Sequence, residues 1–114
     1  MSLLDSVKSP ADLKQLPARE LPSLAKEIRD LIISTVSRNG GHMASNLGVV
    51  ELTIALHRLF DSPTDRIIFD VSHQSYAHKI LTGRADAFEN IRTSQGYSGY
   101  FEPGESRIAG EGLW

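Results

Sequence analysis

The stretch Arg66-Ile67-Ile68-Phe69-Asp70-Val71 decides the fold class. Its centre, Ile67-Ile68-Phe69, is continuous rather than alternating, short, and made of β-branched and aromatic side chains. Such a run suits a strand covered on both faces, as in a parallel sheet. Asp61 to Asp65, with Pro63, forms the turn before it. After it, residues 74–82 bring Tyr76, Ala77, Ile80 and Leu81 to one side of a helix, which Gly83 ends. The change of apolar period between these segments predicts an α/β chain.

Working back toward the N-terminus, residues 22–38 predict the first substantial helix. Pro22 sits in the first turn, where its missing N–H is tolerated. Leu24, Ile28, Leu31 and Ile32 share one face, Val36 extends it, and Gly40-Gly41 stops it. A second helix is predicted from Ser45 or Asn46, either of which can accept bonds from free N–H groups at a helix start, through residue 59. Val49, Leu52, Leu56 and Leu59 give its inward stripe, widened by Ile54 and Ala55. Residues 1–20, with Pro10 and Pro17, predict a lead-in of short turns draped over other elements. Toward the C-terminus, Asp86 with Glu89 resembles a capping box for a brief helix, and residues 93–114, rich in glycine, predict a truncated loop. A lone strand has two unpaired edges, so the rest of the sheet is expected from residues outside this chain or from another chain.

Composition narrows the function. With 12 basic against 14 acidic residues the net charge is −2, so no bulk basic field attracts nucleic acid. The absence of cysteine removes disulfide, thiolate and Cys-based metal chemistry and agrees with a cytoplasmic protein. No apolar core of a signal peptide and no stretch near 18 apolar residues is present, so no membrane association is expected.

Two segments carry candidate chemistry. The first is Gly40-Gly41-His42-Met43-Ala44-Ser45-Asn46-Leu47-Gly48, between two predicted helices. Its glycines let backbone come close to a ligand, and His42 can exchange a proton near neutral pH. A plain helix–helix turn with a solvent-facing histidine is the competing account. The second is Asp70-Val71-Ser72-His73-Gln74-Ser75-Tyr76, directly after the predicted strand. Ligands in open α/β sheets bind beyond the carboxyl ends of strands, so His73 is well placed; a histidine capping the next helix is the alternative. His78-Lys79 with Thr82-Gly83-Arg84 can bind phosphate or, more simply, form the polar side and end of a helix. His57 is expected to be a packing or surface residue. No histidine pair has the i,i+4 spacing of helical zinc ligands, and no glycine-rich nucleotide loop occurs.

Residues 40–53 and 69–84, the latter Phe-Asp-Val-Ser-His-Gln-Ser-Tyr-Ala-His-Lys-Ile-Leu-Thr-Gly-Arg, resemble the two histidine motifs of the 1-deoxy-D-xylulose-5-phosphate synthases, in the thiamine-diphosphate-dependent transketolase group. Leu13 to Leu21, Ile91-Arg92, Gly96, Ser98-Gly99 and Gly104-Glu105-Ser106 follow in family order. The resemblance implies that residues 1–114 are the N-terminal part of a three-layer αβα thiamine-diphosphate-binding domain. It implies a cytoplasmic homodimeric transferase that joins pyruvate to D-glyceraldehyde 3-phosphate with loss of CO2, using thiamine diphosphate and Mg2+, and that feeds isoprenoid and thiamine biosynthesis. It places His42 and His73 at the reactive carbon of the cofactor, for proton transfer and orientation, and Ser45 in the same cavity.

The sequence departs from the family pattern in places. The family usually has glycine where Ser72 and Asn46 stand, and alanine where Ser75 stands. The metal-binding Gly-Asp-Gly, the glutamate that activates the cofactor and the arginines that hold substrate phosphate are not in this chain. Little or no activity is therefore expected of the chain alone, and self-association is expected through surfaces that a sheet or second subunit would cover. Another transketolase-group enzyme, or a non-catalytic truncated paralogue acting as a folding or binding unit, are the alternatives.

Overall fold

The longest apolar stripe in the sequence becomes the longest helix. In the structure, a computed structural model that describes residues 2–62, 64–65, 67, 74–85 and 88–93, helix α2 runs from Leu21–Asn39 with Pro22 in its first turn. Leu24, Ala25, Ile28, Ile32 and Val36 are its buried face. It ends at Gly40, whose φ of 79° lies in the region that side chains disfavour and whose N–H still reaches the Val36 carbonyl at 2.9 Å. Before it come a 3-10 turn at Leu4–Ser6, helix α1 (Pro10–Gln15) and a 3-10 turn at Ala18–Glu20. After it come α3 (Ala44–Leu47), α4 (Val50–Leu59), α5 (Tyr76–Lys79), a wide turn at Ile80–Arg84 and a 3-10 turn at Phe88–Asn90.

Among the described residues every regular element is helical and none is a strand. This corrects the expectation of an α/β chain belonging to a three-layer αβα domain. The predicted strand at residues 66–71 lies outside the described residues except for Ile67, which belongs to neither helix nor strand. A strand is not stable alone. Its N–H and C=O groups need a neighbouring strand, and the described residues supply none. The helices close on one another instead, α4 against α1, α2 and α5, and α2 against the Phe88–Asn90 turn. Leu13, Leu24, Ile28, Val50, Ile54, Tyr76, Ile80, Leu81, Phe88 and Ile91 meet in one core. Full burial of each such side chain contributes about 1.5–3 kcal/mol before entropy is subtracted.

The lead-in is held by side chains from the helices it crosses. Glu27 on α2 accepts the Leu3 and Leu4 amides at 3.0 and 2.9 Å. Lys14 donates to the His57 and Phe60 carbonyls at the end of α4, while Arg58 on α4 donates to the Leu13 and Leu16 carbonyls at 3.1 and 2.7 Å. Each short helix thus supplies the cation for the last carbonyls of the other, where a positive group is favoured.

Helix α4 is rotated from its expected phase. The buried residues are Val50, Thr53, Ile54 and His57, whereas Leu52 and Leu59 of the predicted inward stripe are 58% and 77% exposed. Two causes combine. The predicted single helix is broken at Gly48-Val49, with Val49 off the helix at φ −120° and ψ 15°. The segment also carries apolar residues all round, so its period does not select a face; the Lys14 and Arg58 contacts do. Neither Ser45 nor Asn46 caps a helix start: the residues preceding α3 and α4 are Met43 and Val49, without side-chain caps. No helix among the described residues is long and apolar enough to cross a membrane.

Candidate functional site

The first histidine segment begins where α2 ends. Gly40 and Gly41 take φ of 79° and 134°, and the chain then turns into α3. The glycines were expected to admit a ligand; Gly41 in fact admits a tyrosine. A Cβ built there would lie 2.6 Å from the Tyr76 hydroxyl, far inside van der Waals contact. Tyr76 is fully buried at the start of α5, with its ring edge-on to Phe88 at 5.5 Å between centroids. From that position its hydroxyl accepts the His42 N–H at 3.4 Å.

Asn46 makes the second link. It is fully buried, and its carboxamide donates to the His42 carbonyl at 2.5 Å and accepts the Tyr76 N–H at 3.0 Å. The structure therefore joins the His42 segment to the segment containing Tyr76 through two side chains. His42 is half-buried and Ser45 is exposed on the same turn. Asp70, Ser72 and His73 lie outside the described residues, so only Gln74, Ser75 and Tyr76 of the second segment enter this geometry.

Residues 78–82 and Arg84 are turned inward, which corrects their assignment to the polar side of a helix. His78, Lys79, Thr82 and Arg84 are all buried. Thr82 donates its hydroxyl to the His78 carbonyl at 2.7 Å, and Arg84 donates to the Thr82 hydroxyl oxygen at 2.8 Å. Gly83, at φ 93°, marks the end of the helical path where the sequence placed it.

Sequence reasoning missed one constellation. His57 on α4 and His78 on α5 are fully buried, stacked at 5.1 Å between ring centroids with planes 17° apart, and joined Nε2 to Nδ1 at 2.9 Å. Burial first, then the neighbouring His78 and Lys14, hold the His57 imidazole down at about 3. The signal was faint: each histidine sits between an apolar and a basic residue on its helix, 21 positions separate them, and no local period connects residues so far apart. Among the described residues no group of three or more His, Asp or Glu is placed to hold a metal ion.

Comparison with known proteins places this sequence among relatives named as synthases. The sequence profile of 1-deoxy-D-xylulose-5-phosphate synthase matches residues 4–109, and the chain belongs to that family. It is 62% identical over 106 residues to the 1-deoxy-D-xylulose-5-phosphate synthase of Thermobifida fusca, covering 93% of this chain and 16% of the relative. It is 60% identical over 106 residues to that of Corynebacterium jeikeium, covering 93% and 17%, and 58% identical over 104 residues to that of Anaeromyxobacter dehalogenans, covering 91% and 16%. The chain thus spans about a sixth of the length of these relatives.

Proposed function

We propose that this chain forms part of a cytoplasmic transferase that condenses pyruvate with D-glyceraldehyde 3-phosphate, giving 1-deoxy-D-xylulose 5-phosphate and CO2, a product destined for isoprenoid and thiamine synthesis. The family match across residues 4–109 carries this assignment. Thiamine diphosphate with Mg2+ is the proposed cofactor, and it supplies the electron sink for the carbanion chemistry. The residues present fit one wall of such a site: His42 and Ser45 stand on one turn with their side chains at least partly exposed. The metal ligands are assigned outside this chain. In this assignment His42 and His73 each hold or move a proton near the substrate, a task suited to imidazole, and Ser45 lines the cavity. The full-length parent, given both substrates, cofactor and Mg2+, is expected to release CO2 and product in equal amounts. Product formation that does not require pyruvate overturns the assignment.

The chain alone is expected to give no turnover above background under the same conditions, because the Gly-Asp-Gly and the activating glutamate that the family resemblance calls for are not in its sequence. Turnover at ordinary enzyme rates, on the order of 1–10³ per second, contradicts this. Self-association is expected as well. Leu52, Leu59 and Phe60 are exposed together along α4 and its end, at 58%, 77% and 47%, and apolar patches of this kind favour pairing. In sedimentation velocity the mean mass should rise with concentration, and Leu59→Lys should reduce the rise. A monomer at every concentration counts against a homodimeric surface on this helix.

A further inference from the structure

We infer that Asn46 is a positioning residue for His42, holding the first histidine segment in register with the second. The case begins with two backbone groups that a single side chain bridges. The His42 carbonyl lies just outside α3, whose first residue is Ala44. The Tyr76 N–H is the first of α5, and the first amides of a helix have no partner within it. The Tyr76 amide is buried and the His42 carbonyl part-buried, and an unmatched polar group costs most where water is excluded. The Asn46 carboxamide satisfies them together, its NH2 donating to the carbonyl at 2.5 Å and its oxygen accepting the amide at 3.0 Å. The Tyr76 hydroxyl returns to the His42 N–H at 3.4 Å, so both backbone groups of His42 are held from this ring of three residues. Gly41 leaves room for that hydroxyl. Asparagine is suited to the position because it presents one donor and one acceptor at a fixed angle. Aspartate has the same shape but sets an oxygen against the His42 carbonyl oxygen.

This inference rests on the assignment of His42 to the reaction, and the test separates the two. In the full-length parent, Asn46→Asp is measured alone and with His42→Ala, following kcat, the KM for pyruvate, the melting temperature and deuterium exchange at the Tyr76 amide. Asn46→Asp is expected to lower kcat by roughly 10- to 100-fold, as misplacement of a reacting group does, with KM changed less than about threefold. In the His42→Ala background the same change should lower kcat by less than about threefold, because residues acting as one unit are not additive. Equal losses in both backgrounds would show that Asn46 acts only through the fold, and an unchanged kcat would show no role; either overturns the inference. If His42→Ala leaves kcat intact, the assignment of His42 falls and the positioning role falls with it, while faster exchange at Tyr76 in Asn46→Asp still registers the clasp as a structural one. Should Asn46→Asp not fold, Tyr76→Phe, which removes only the hydroxyl, enters the same cycle with an expected loss of about 3- to 10-fold; no loss, or a loss that persists in His42→Ala, overturns the inference.

Discussion

Replacing His42 by alanine in the full-length parent is expected to lower kcat by roughly 10²–10⁴-fold, the usual contribution of a positioned general acid or base, with binding of thiamine diphosphate weakened far less. The same is expected of His73→Ala. The argument for His42 is its setting. Its backbone N–H and carbonyl are fixed by Tyr76 and Asn46, while its side chain remains only half-buried. A residue held by its main chain and partly open at its side chain can meet a substrate without reorganising first. The competing account is a turn residue whose loss affects only stability, by about 1 kcal/mol or less. Kinetics and melting on the same variant separate the two. A drop confined to kcat and kcat/KM means that an interaction made in the transition state has been removed. An unchanged kcat with a lower melting temperature would sink the catalytic role of His42.

The helical half of the fold was legible because it is local. Leu24, Ile28, Ile32 and Val36 repeat at helical spacing, and Gly40 stops them at the residue the sequence indicated. Gly83 marked a second end in the same way. The errors arose where the deciding partner is distant in sequence. The α/β class rested on the composition of residues 66–71, which lie outside the described residues except for Ile67, and composition contains no hydrogen-bonding neighbour. The face of α4 was misjudged because apolar residues surround that helix; its rotation is set by Lys14 and Arg58, across more than 40 positions. Asn46 was taken for a helix cap, since asparagine caps by reaching nearby amides, but it reaches Tyr76 instead, 30 positions away. His42 and Ser45 were singled out by residue type and by family resemblance. The link between their turn and Tyr76 required the tertiary structure.

Lowering the pH from 7.5 to 5 should destabilise the chain by roughly 2 kcal/mol through His57 alone, the integrated effect of a histidine held neutral in the folded state. The imidazole lies at about 3 when folded, against an ordinary 6.5. Between those values the unfolded chain binds a proton that the folded chain refuses, so stability falls as pH falls through 6.5 and continues to fall toward 3. Burial of the ring sets the sign first, and the groups facing it add to it. His78 stacks on it and shares one proton with it at 2.9 Å, and Lys14, whose ammonium is bonded to the His57 carbonyl, opposes any further positive charge. Nδ1 of His57 has no hydrogen-bond partner among the described residues. Left as a lone pair it is tolerated, but as an N–H it would be a buried donor without an acceptor, which proteins rarely allow. A doubly protonated His57 carries an N–H on both ring nitrogens, so protonation places both a charge and an orphan donor in the core. Glu51, held low chiefly by its hydrogen bond with Arg29, loses its contribution only at more acidic pH and does not confuse this window. Urea unfolding at pH 7.5, 6.5, 5.5 and 5 measures the slope. His57→Phe keeps a flat ring but cannot titrate. It should be less stable than the parent sequence at pH 7.5, for want of the shared hydrogen bond, and should show a visibly flatter dependence below pH 6.5, so that the two curves approach one another toward pH 5. Parallel curves for the two proteins would mean that the buried imidazole pair is not the source of acid lability.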